Sequence, residues 1–387
     1  MLTRPLHPKD LATFADRAKY VHHLTYNDAF VDAECLRLIH ECIPIPQLFS
    51  SLSTLVWDCA FIGQIQGVEL FAHPGLLDLR IRVEYTKAPL KDDVVGPVFM
   101  SVARGAPHLK GVAIHMPYVE LEEAIVQLIS GTPDARYLSL KLGAKLTNQA
   151  TTQISTLPQL RRLGLNCNHP STSPMSLNEG FGFRSLIELK LRLPTVAQCR
   201  EIVERVLGPL RSLDIQCTTY IYDQPEILHG YLLAVSRHTS LTELWLTFPK
   251  LPAIADPIPD PELYHTTFHT LQPLCHLSNL ELFHLGFRFT PDLDDAEVAQ
   301  LANSWPRLRY FVLPTRQMRP GRVYWSNARA GRKAVMAILD ACPYLNVICM
   351  NINRSIPWPE GSQSYHNRLA SLGRCALGPN RYITIDE

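Results

Sequence analysis

The chain has 387 residues, and its 37 basic and 36 acidic side chains give a net charge of +1. This balance excludes the strongly basic composition that is typical of nucleic-acid-binding domains. Hydrophobic residues make up 46% of the chain and charged residues 19%, which argues against disorder over most of its length. The 30 prolines outnumber the 19 glycines, and 56 residues are leucine, an excess that points to internal repeats.

The sequence carries no sign of secretion or membrane insertion. Its start, MLTRPLHPKD, lacks the apolar core of a signal peptide, and no run of 18 apolar residues occurs. Neither end carries a lipidation motif. The ten cysteines are scattered without a CxxC pair, which is typical of reduced, buried thiols. We therefore expect a cytoplasmic or nuclear protein without a membrane segment.

A short apolar segment of the form L-x-x-L-x-L recurs along the chain, and we number its positions from the first apolar residue. The first residues of the twelve copies are Val21, Leu52, Leu76, Leu109, Ala135, Leu160, Leu186, Leu210, Leu241, Leu280, Leu308 and Leu345. The eleven intervals between them average about 29 residues and range from 24 to 39. The copies therefore form an irregular repeat.

Each copy predicts a strand followed by a helix. Positions 4, 6 and 8 are apolar and alternate, which is the period of a half-buried strand. Helical spacing follows in the segments Tyr118–Ser130, Thr195–Leu207, Pro225–Val235, Asp294–Ser304 and Gly331–Ala341. Asp294 is placed to cap its helix. Prolines precede many strands by a few residues and would end the helix before them.

A strand and a helix of this size cannot bury their own apolar faces, so the copies must stack into a continuous core. We expect a single α/β solenoid over residues 1–387, curved like a horseshoe. About twelve irregular repeats would place parallel strands on the concave side and helices on the convex side. Residues 1–50 would form the N-terminal cap and first repeat, residues 51–350 the array, and residues 351–387 the C-terminal cap.

The pattern resembles leucine-rich repeats of the long, irregular kind. The usual Asn or Cys at position 9 is matched only by Asn168 and Asn353, and Pro117, Pro194 and Pro249 stand there in other copies. Such divergence is similar to that of fungal F-box proteins with leucine-rich repeats. The opening segment RPLHPKDLATFADRAKYVHHLTY also resembles the one that joins the F-box to the first repeat in those proteins.

The F-box itself, which opens with L-P-x-E-L-L in that family, is missing from this sequence. The nearest string is IPIPQLF at residues 43–49, which lacks the acidic residue and lies inside the array. The resemblance implies the substrate-recognition part of an F-box-type ubiquitin ligase adaptor. A Skp-type adaptor would then bind only a longer form that carries the F-box, so the chain is either a truncated form or the recognition half alone.

Positions 3, 5 and 7 of each copy point away from the core, because strand side chains alternate between two faces. Their aromatic and basic residues predict a partner-binding wall on the concave side. It would contain Arg80, Arg82, Tyr137, Lys141, Arg162, Lys190, Arg192, Trp245 and Tyr310. Trp245 is the strongest candidate, since exposed tryptophans often anchor interfaces. The alternative is that the proline-rich insertion at residues 251–261 covers it.

A second candidate surface lies near the C-terminus, where residues 298–339 contain no acidic side chain. The predicted basic patch comprises Arg316, Arg319, Arg322, Arg329, Arg332 and Lys333. Arginine forks bind phosphates and carboxylates, so the patch predicts an acidic or phosphorylated partner segment. The alternative is a solvated face whose charge is balanced by acids of neighbouring repeats. No nucleic-acid partner is expected of a neutral chain.

Motifs for catalysis and metal binding are incomplete. His265 and His269 have the spacing of a zinc-binding pair, but no second pair of ligands follows at a suitable distance. His40 and Glu41 begin like HExxH, yet residue 44 is Pro44. No GxSxG, GxxxxGK[ST] or GxGxxG motif occurs. We therefore expect no catalytic residue, no metal and no cofactor.

The sequence thus predicts a non-enzymatic protein-binding scaffold. One alternative is a GTPase-activating protein or another regulatory enzyme on the same scaffold. Such an enzyme would need an exposed catalytic Arg or Asn at a strand end, and no motif singles one out. A further alternative is a decayed paralogue that has no partner.

Overall fold

A computed structural model of the chain describes residues 12–28, 33–85, 92–116, 122–143, 148–167, 182–218, 225–247, 266–286, 292–313, 328–353 and 358–377. The chain divides into two compact units. Unit 1 comprises Met1–Leu186 and Arg205–Gly208, and unit 2 comprises Ile187–Glu204 and Pro209–Glu387. The expectation of a single solenoid over residues 1–387 stays a prediction.

Unit 1 is built from parallel strands that each pair with the next one along the chain. Its strands are β1 (His23–Asn27), β2 (Thr54–Phe61), β3 (Asp78–Tyr85), β4 (Gly111–Met116), β5 (Tyr137–Leu142) and β6 (Arg162–Cys167). Its helices are α1 (Ala12–Ala18), α2 (Ala33–Cys42), α3 (Ile45–Leu48), α4 (Asp92–Gly105), α5 (Glu122–Ser130) and α6 (Asn148–Ser155). A 3₁₀ segment, Ile62–Phe71, connects β2 to β3.

Unit 2 repeats this arrangement with parallel strands in chain order. Its strands are β7 (Glu188–Leu193), β8 (Ser212–Cys217), β9 (Glu243–Thr247), β10 (Leu282–Gly286), β11 (Tyr310–Val312), β12 (Val347–Met350) and β13 (Arg374–Leu377). Its helices are α7 (Val196–Val203), α8 (Pro225–Ser236), α9 (Phe268–Leu271), α10 (Asp295–Ser304), α11 (Arg332–Ala341) and α12 (Gln363–Ala370). A 3₁₀ segment, Gln272–His276, follows α9.

The fold is an α/β repeat solenoid of the leucine-rich-repeat type, as the sequence predicts. Each of the twelve predicted copies contains a strand, and the five predicted helices are present as α5, α7, α8, α10 and α11. A thirteenth strand, β13, lies within the predicted C-terminal cap. Its copy has Leu372 at position 1 and Cys375 at position 4, and both are buried.

The core of each unit lies between the strands and the helices. In unit 1 the ring of Tyr26 stacks on Trp57 with centroids 3.8 Å apart. In unit 2 Trp305 is fully buried, and its Nε1 donates a hydrogen bond of 3.0 Å to the carbonyl oxygen of Leu274. The ring of Phe283 packs on Trp305 with centroids 4.8 Å apart. Aromatic residues at strand positions thus fill space that leucines occupy in other copies.

One backbone contact recurs at the junctions between copies. The carbonyl oxygen at position 2 accepts hydrogen bonds from the N–H groups at positions 2 and 3 of the next copy. Lys110 O, for example, lies 2.7 Å from Arg136 N and 3.0 Å from Tyr137 N. The same double acceptor occurs at His22, Ser53, Leu77, Lys110 and Arg136 in unit 1 and at Ile187, Arg211, Thr242, Glu281 and Arg309 in unit 2. It fixes the register at which each new strand begins.

The prolines before the strands occupy tight turns. Pro107 is the second residue of a turn in which Ala106 O accepts a hydrogen bond of 3.3 Å from Leu109 N. Pro74, Pro133, Pro158, Pro306 and Pro343 hold the same place in their copies. The fixed φ of proline suits this turn position, so these prolines shape the entry into the strand as well as limiting the helix.

Asp294 caps helix α10, as the sequence predicts. Its Oδ1 accepts a hydrogen bond of 2.9 Å from Glu297 N, and Glu297 Oε2 accepts one of 2.8 Å from Asp294 N. This reciprocal pair is a capping box, which satisfies backbone donors at the start of the helix.

We predict that Asp294→Ala lowers the free energy of unfolding by about 1 kcal/mol, because the N-terminal donors of α10 lose their acceptor. The measurement is the shift of the urea midpoint. Asp294→Asn keeps an acceptor at the same place and should retain most of the stability. An unchanged midpoint for the alanine variant would show that the cap contributes nothing.

Candidate functional site

In-register pairing sets the outward side chains of neighbouring strands beside one another. We call the residues at the outward positions of β1–β6 the strand face of unit 1, and those of β7–β12 the strand face of unit 2. On unit 1, for example, Arg82 pairs with His115 and His115 with Lys141. Neighbouring strands lie about 4.8 Å apart, so such side chains form rows.

The strand face of unit 1 carries four of the predicted basic residues. Arg80, Arg82 and Arg162 are exposed, and Lys141 is half-buried. Acids are interleaved with them at Asp58, Asp78 and Glu84. Arg82 Nε lies 4.0 Å from Asp58 Oδ1. Both side chains are accessible to solvent, so this ion pair contributes little to stability. The weak pairing leaves Arg82 able to contact a partner.

His115 stands in the middle of this face. Burial lowers the pKa of His115 below its usual 6.5, and the charges of Lys141 and Arg82 lower it further. Glu84 and Asp58 act in the opposite direction. The imidazole is therefore neutral at pH 7. In the row Arg82–His115–Lys141, one cation stands on each side of this neutral ring.

Tyr137 adds an aromatic side chain to the same face. It is 37% exposed and stands in register with Arg162 on β6. Sequence alternation predicted both as outward residues, and the structure places them beside each other.

The strand face of unit 2 begins with two basic residues on β7, Lys190 and Arg192, which are exposed. Lys190 Nζ lies 2.5 Å from Asp214 Oδ2 on β8. The lysine side chain is 73% exposed, so this ion pair is screened by solvent. Arg192 stands in register with Gln216.

Trp245 lies further along this face, on β9, and is 36% exposed. Its indole stacks on the imidazole of His284 with centroids 4.8 Å apart and an angle of 24° between the rings. Burial lowers the pKa of His284, while the charge of Asp214 raises it. The predicted insertion that could cover Trp245, residues 251–261, lies outside the described residues.

Two further side chains border this aromatic pair. Glu243, two residues before Trp245 on β9, is exposed, and its Oε2 accepts a hydrogen bond of 2.9 Å from Ser212 Oγ. Tyr310 on β11 is 39% exposed. Sequence reasoning singled out Trp245 and Tyr310 but missed Asp214 and His284. Both missed residues occupy position 5 of their copies, so the same alternation could have found them.

The described part of the predicted basic patch is engaged within the protein. Arg329 Nε donates to Asp292 Oδ1 at 2.8 Å, and its Nη2 donates to Glu297 Oε2 at 3.2 Å. These acids belong to the preceding repeat, and Glu297 is part of the capping box of α10. The Arg332 guanidinium lies 5.2 Å from the centre of the Trp358 ring. The contacts of Arg329 fit the alternative in which acids of a neighbouring repeat balance the charge, whereas Arg332 contacts an aromatic ring.

Of the other four residues of the predicted basic patch, the structure describes only Lys333. Lys333 is exposed on α11. Arg316, Arg319 and Arg322 lie outside the described residues. The patch as a binding surface stays a prediction.

Two of the histidines considered as metal ligands in the sequence, His40 and His269, make contacts within the protein. His40 Nδ1 accepts a hydrogen bond of 3.1 Å from Ile45 N, and the ring of His269 stacks on His229 with centroids 4.6 Å apart. His265 lies outside the described residues. Within the ranges that the structure describes, no three His, Cys, Asp or Glu side chains could hold a metal ion together. In the same ranges no helix has the length and apolar character to cross a membrane.

All ten cysteines are free thiols. Burial raises the pKa of Cys59 to about 12 and the pKa values of Cys342 and Cys375 to about 11. These three groups are therefore protonated at neutral pH, and a thiolate nucleophile is disfavoured at their positions.

Comparison with known proteins gives no family assignment. No protein family matches the sequence, and no curated protein matches it either. Among solved structures, the fold is similar to a chain of the yeast complex of Rad7 and Elc1. The similarity covers 91% of this chain and 78% of that chain, with 12% sequence identity and a TM-score of 0.41. At this identity and score the likeness does not transfer a function.

We predict that the neutral state of His115 makes the protein less stable in acid. His115 titrates near 6.5 when unfolded and below that value when folded, so the folded chain binds fewer protons. Its contribution to the free energy of unfolding is complete above pH 6.5 and falls as the pH drops below that value. Lys141→Gln removes one repelling charge, so the pKa of His115 should move up and the acid-side loss should shrink.

An NMR titration of the His115 ring measures this pKa directly. Lys110→Gln is the matched control, because Lys110 is exposed in the turn before β4 and its charge does not contribute to the shift. A pKa for His115 at or above 6.5 in the unaltered protein would contradict the account.

Proposed function

We propose that this protein is a non-enzymatic interaction scaffold that binds partner proteins through the strand faces of its two units. The observation that carries the proposal is the set of large side chains held outward on regular strands. Trp245, Tyr137 and Tyr310 are each more than a third exposed. Trp, Tyr and Arg are the residues that most often dominate binding energy in protein interfaces.

The strands supply the rigidity that such a surface requires. The strands are held by ladder hydrogen bonds to their neighbours, and β2–β6 and β8–β12 also by the double-acceptor carbonyl at their start. Side chains on this backbone lose little further freedom on binding, which lowers the entropic cost of association. The strand faces are therefore better placed for tight contacts than the connecting segments.

We further propose that the chain is the substrate-recognition part of an F-box-type ubiquitin ligase adaptor. Support comes from the resemblance of its repeats to those of fungal F-box proteins. A Skp-type adaptor would join through a longer form that carries the F-box. The free, mostly buried thiols fit a reducing compartment, and we propose the cytoplasm or the nucleus. An acidic or phosphorylated partner segment is proposed for the basic patch near the C-terminus.

The binding proposal is tested by affinity purification with the intact chain as bait. We expect captured proteins to be lost with Arg80→Glu/Arg82→Glu or with Trp245→Ala, because each change removes an exposed group from one strand face. Tyr344→Ala is the control, since Tyr344 is 66% exposed but lies in the turn before β12. Equal capture by all variants would contradict binding through the strand faces.

The ligase proposal is tested separately with a form extended at its N-terminus. We expect Skp and cullin subunits to co-purify with an F-box-containing extended form and not with the 387-residue chain. Recovery of neither subunit with the extended form would remove the ligase role and leave the binding proposal standing.

A further inference from the structure

The surroundings of Trp245 are acidic, although the chain as a whole is neutral. Asp214 stands in register with Trp245 on the neighbouring strand β8. Glu243 precedes Trp245 by two residues on β9 and points to the same side of the sheet, because strand side chains alternate. Two carboxylates therefore border one exposed indole.

Within the described residues, one face of the indole carries a ring contact. Strands β8 and β10 flank β9 on opposite sides, and His284 on β10 covers one face of the ring. On the other side of β9, strand β8 carries Asp214 in register with Trp245. An indole face attracts cations electrostatically, and a carboxylate at its edge strengthens the attraction.

The cation already nearby is weakly held. Lys190 reaches Asp214 from β7 with an Nζ–Oδ2 distance of 2.5 Å, but its side chain is 73% exposed. Exposed pairs of this kind contribute between zero and about 1 kcal/mol. Ser212 donates one hydrogen bond to Glu243, and a carboxylate can accept several. A guanidinium from a partner can therefore compete with Lys190 for Asp214, and Glu243 keeps further capacity to accept a hydrogen bond.

We propose that Trp245, His284, Asp214 and Glu243 form a docking site for an arginine side chain in an extended segment of a partner protein. Arginine fits better than lysine, because its planar guanidinium stacks on an indole while it donates two parallel hydrogen bonds to a carboxylate. This inference rests on the proposed binding function and names the partner chemistry at one of its surfaces.

The partner charge that this site favours is opposite to the one that the basic surfaces predicted from the sequence would favour. The basic residues Arg80, Arg82 and Lys141 on the unit 1 strand face favour acidic groups on a partner. At Trp245 the charged residues at the neighbouring outward positions are Asp214 and Glu243, and Lys190, which pairs with Asp214, belongs to β7, two strands away. Charge complementarity at this site therefore selects a basic segment.

The test is selection of a randomised peptide library, displayed on phage, against the intact chain. We expect enriched peptides to share an arginine beside an apolar residue. One enriched peptide is then measured by calorimetry against the chain and its variants. Trp245→Ala and the double variant Asp214→Asn/Glu243→Gln should each raise the Kd by about tenfold, since each removes one of the two attractions for the guanidinium. Replacing the peptide's arginine with glutamine should raise the Kd by more than tenfold, since it removes both attractions at once.

Two controls accompany the measurement. Glu360→Gln removes an exposed carboxylate from the turn before α12, and Tyr344→Ala removes an exposed aromatic ring from the turn before β12; neither should change the Kd. The melting temperature of every variant shows whether it folds.

The outcomes separate this inference from the proposed function. Enriched acidic peptides, or binding that does not respond to Trp245→Ala and to the double variant, would overturn the arginine site while leaving a binding scaffold. No enrichment over a blank support would also overturn it. In that case capture of proteins by the strand faces, tested above, decides the proposed function independently.

Discussion

One backbone oxygen in each copy accepts hydrogen bonds from two successive N–H groups of the next copy, and the rest of each unit depends on this contact. It recurs at five junctions in unit 1 and five in unit 2. Each hydrogen bond contributes about 1 kcal/mol or less. Its larger effect is on register, because a slip by one residue would turn every apolar strand side chain away from the core. The contact is made by the backbone, and in two copies the position 2 side chains of Ser53 and Thr242 also donate to the same carbonyl oxygen.

A fixed register also determines the chemistry of the strand faces. Arg82, His115 and Lys141 form a row in unit 1 only because their strands are paired in register. In unit 2 the same constraint places Asp214, Trp245 and His284 side by side. Both faces carry charges of both signs, so the near-zero net charge results from basic and acidic side chains set beside one another on the strands.

Much of the fold could be predicted from the sequence, because the L-x-x-L-x-L pattern predicts both the position of each strand and the face that it buries. Strand β13 was missed because Cys375 stands where the other copies have a leucine or another large apolar residue. The partners of Arg329 were missed because Asp292 and Glu297 lie 37 and 32 residues earlier, and only the fold brings them near. The stack of Trp245 on His284 likewise depends on the register between two copies separated by the longest interval.

The central claim is that the strand faces bind partner proteins, and site-specific photo-crosslinking tests it most directly. A photo-crosslinking phenylalanine analogue in place of Tyr137 or Tyr310 tests one strand face each, and the same analogue in place of Tyr344 tests a turn. On irradiation in cell extract, the account predicts adducts with partner proteins from positions 137 and 310 and none from position 344. Adducts from position 344 alone would contradict it.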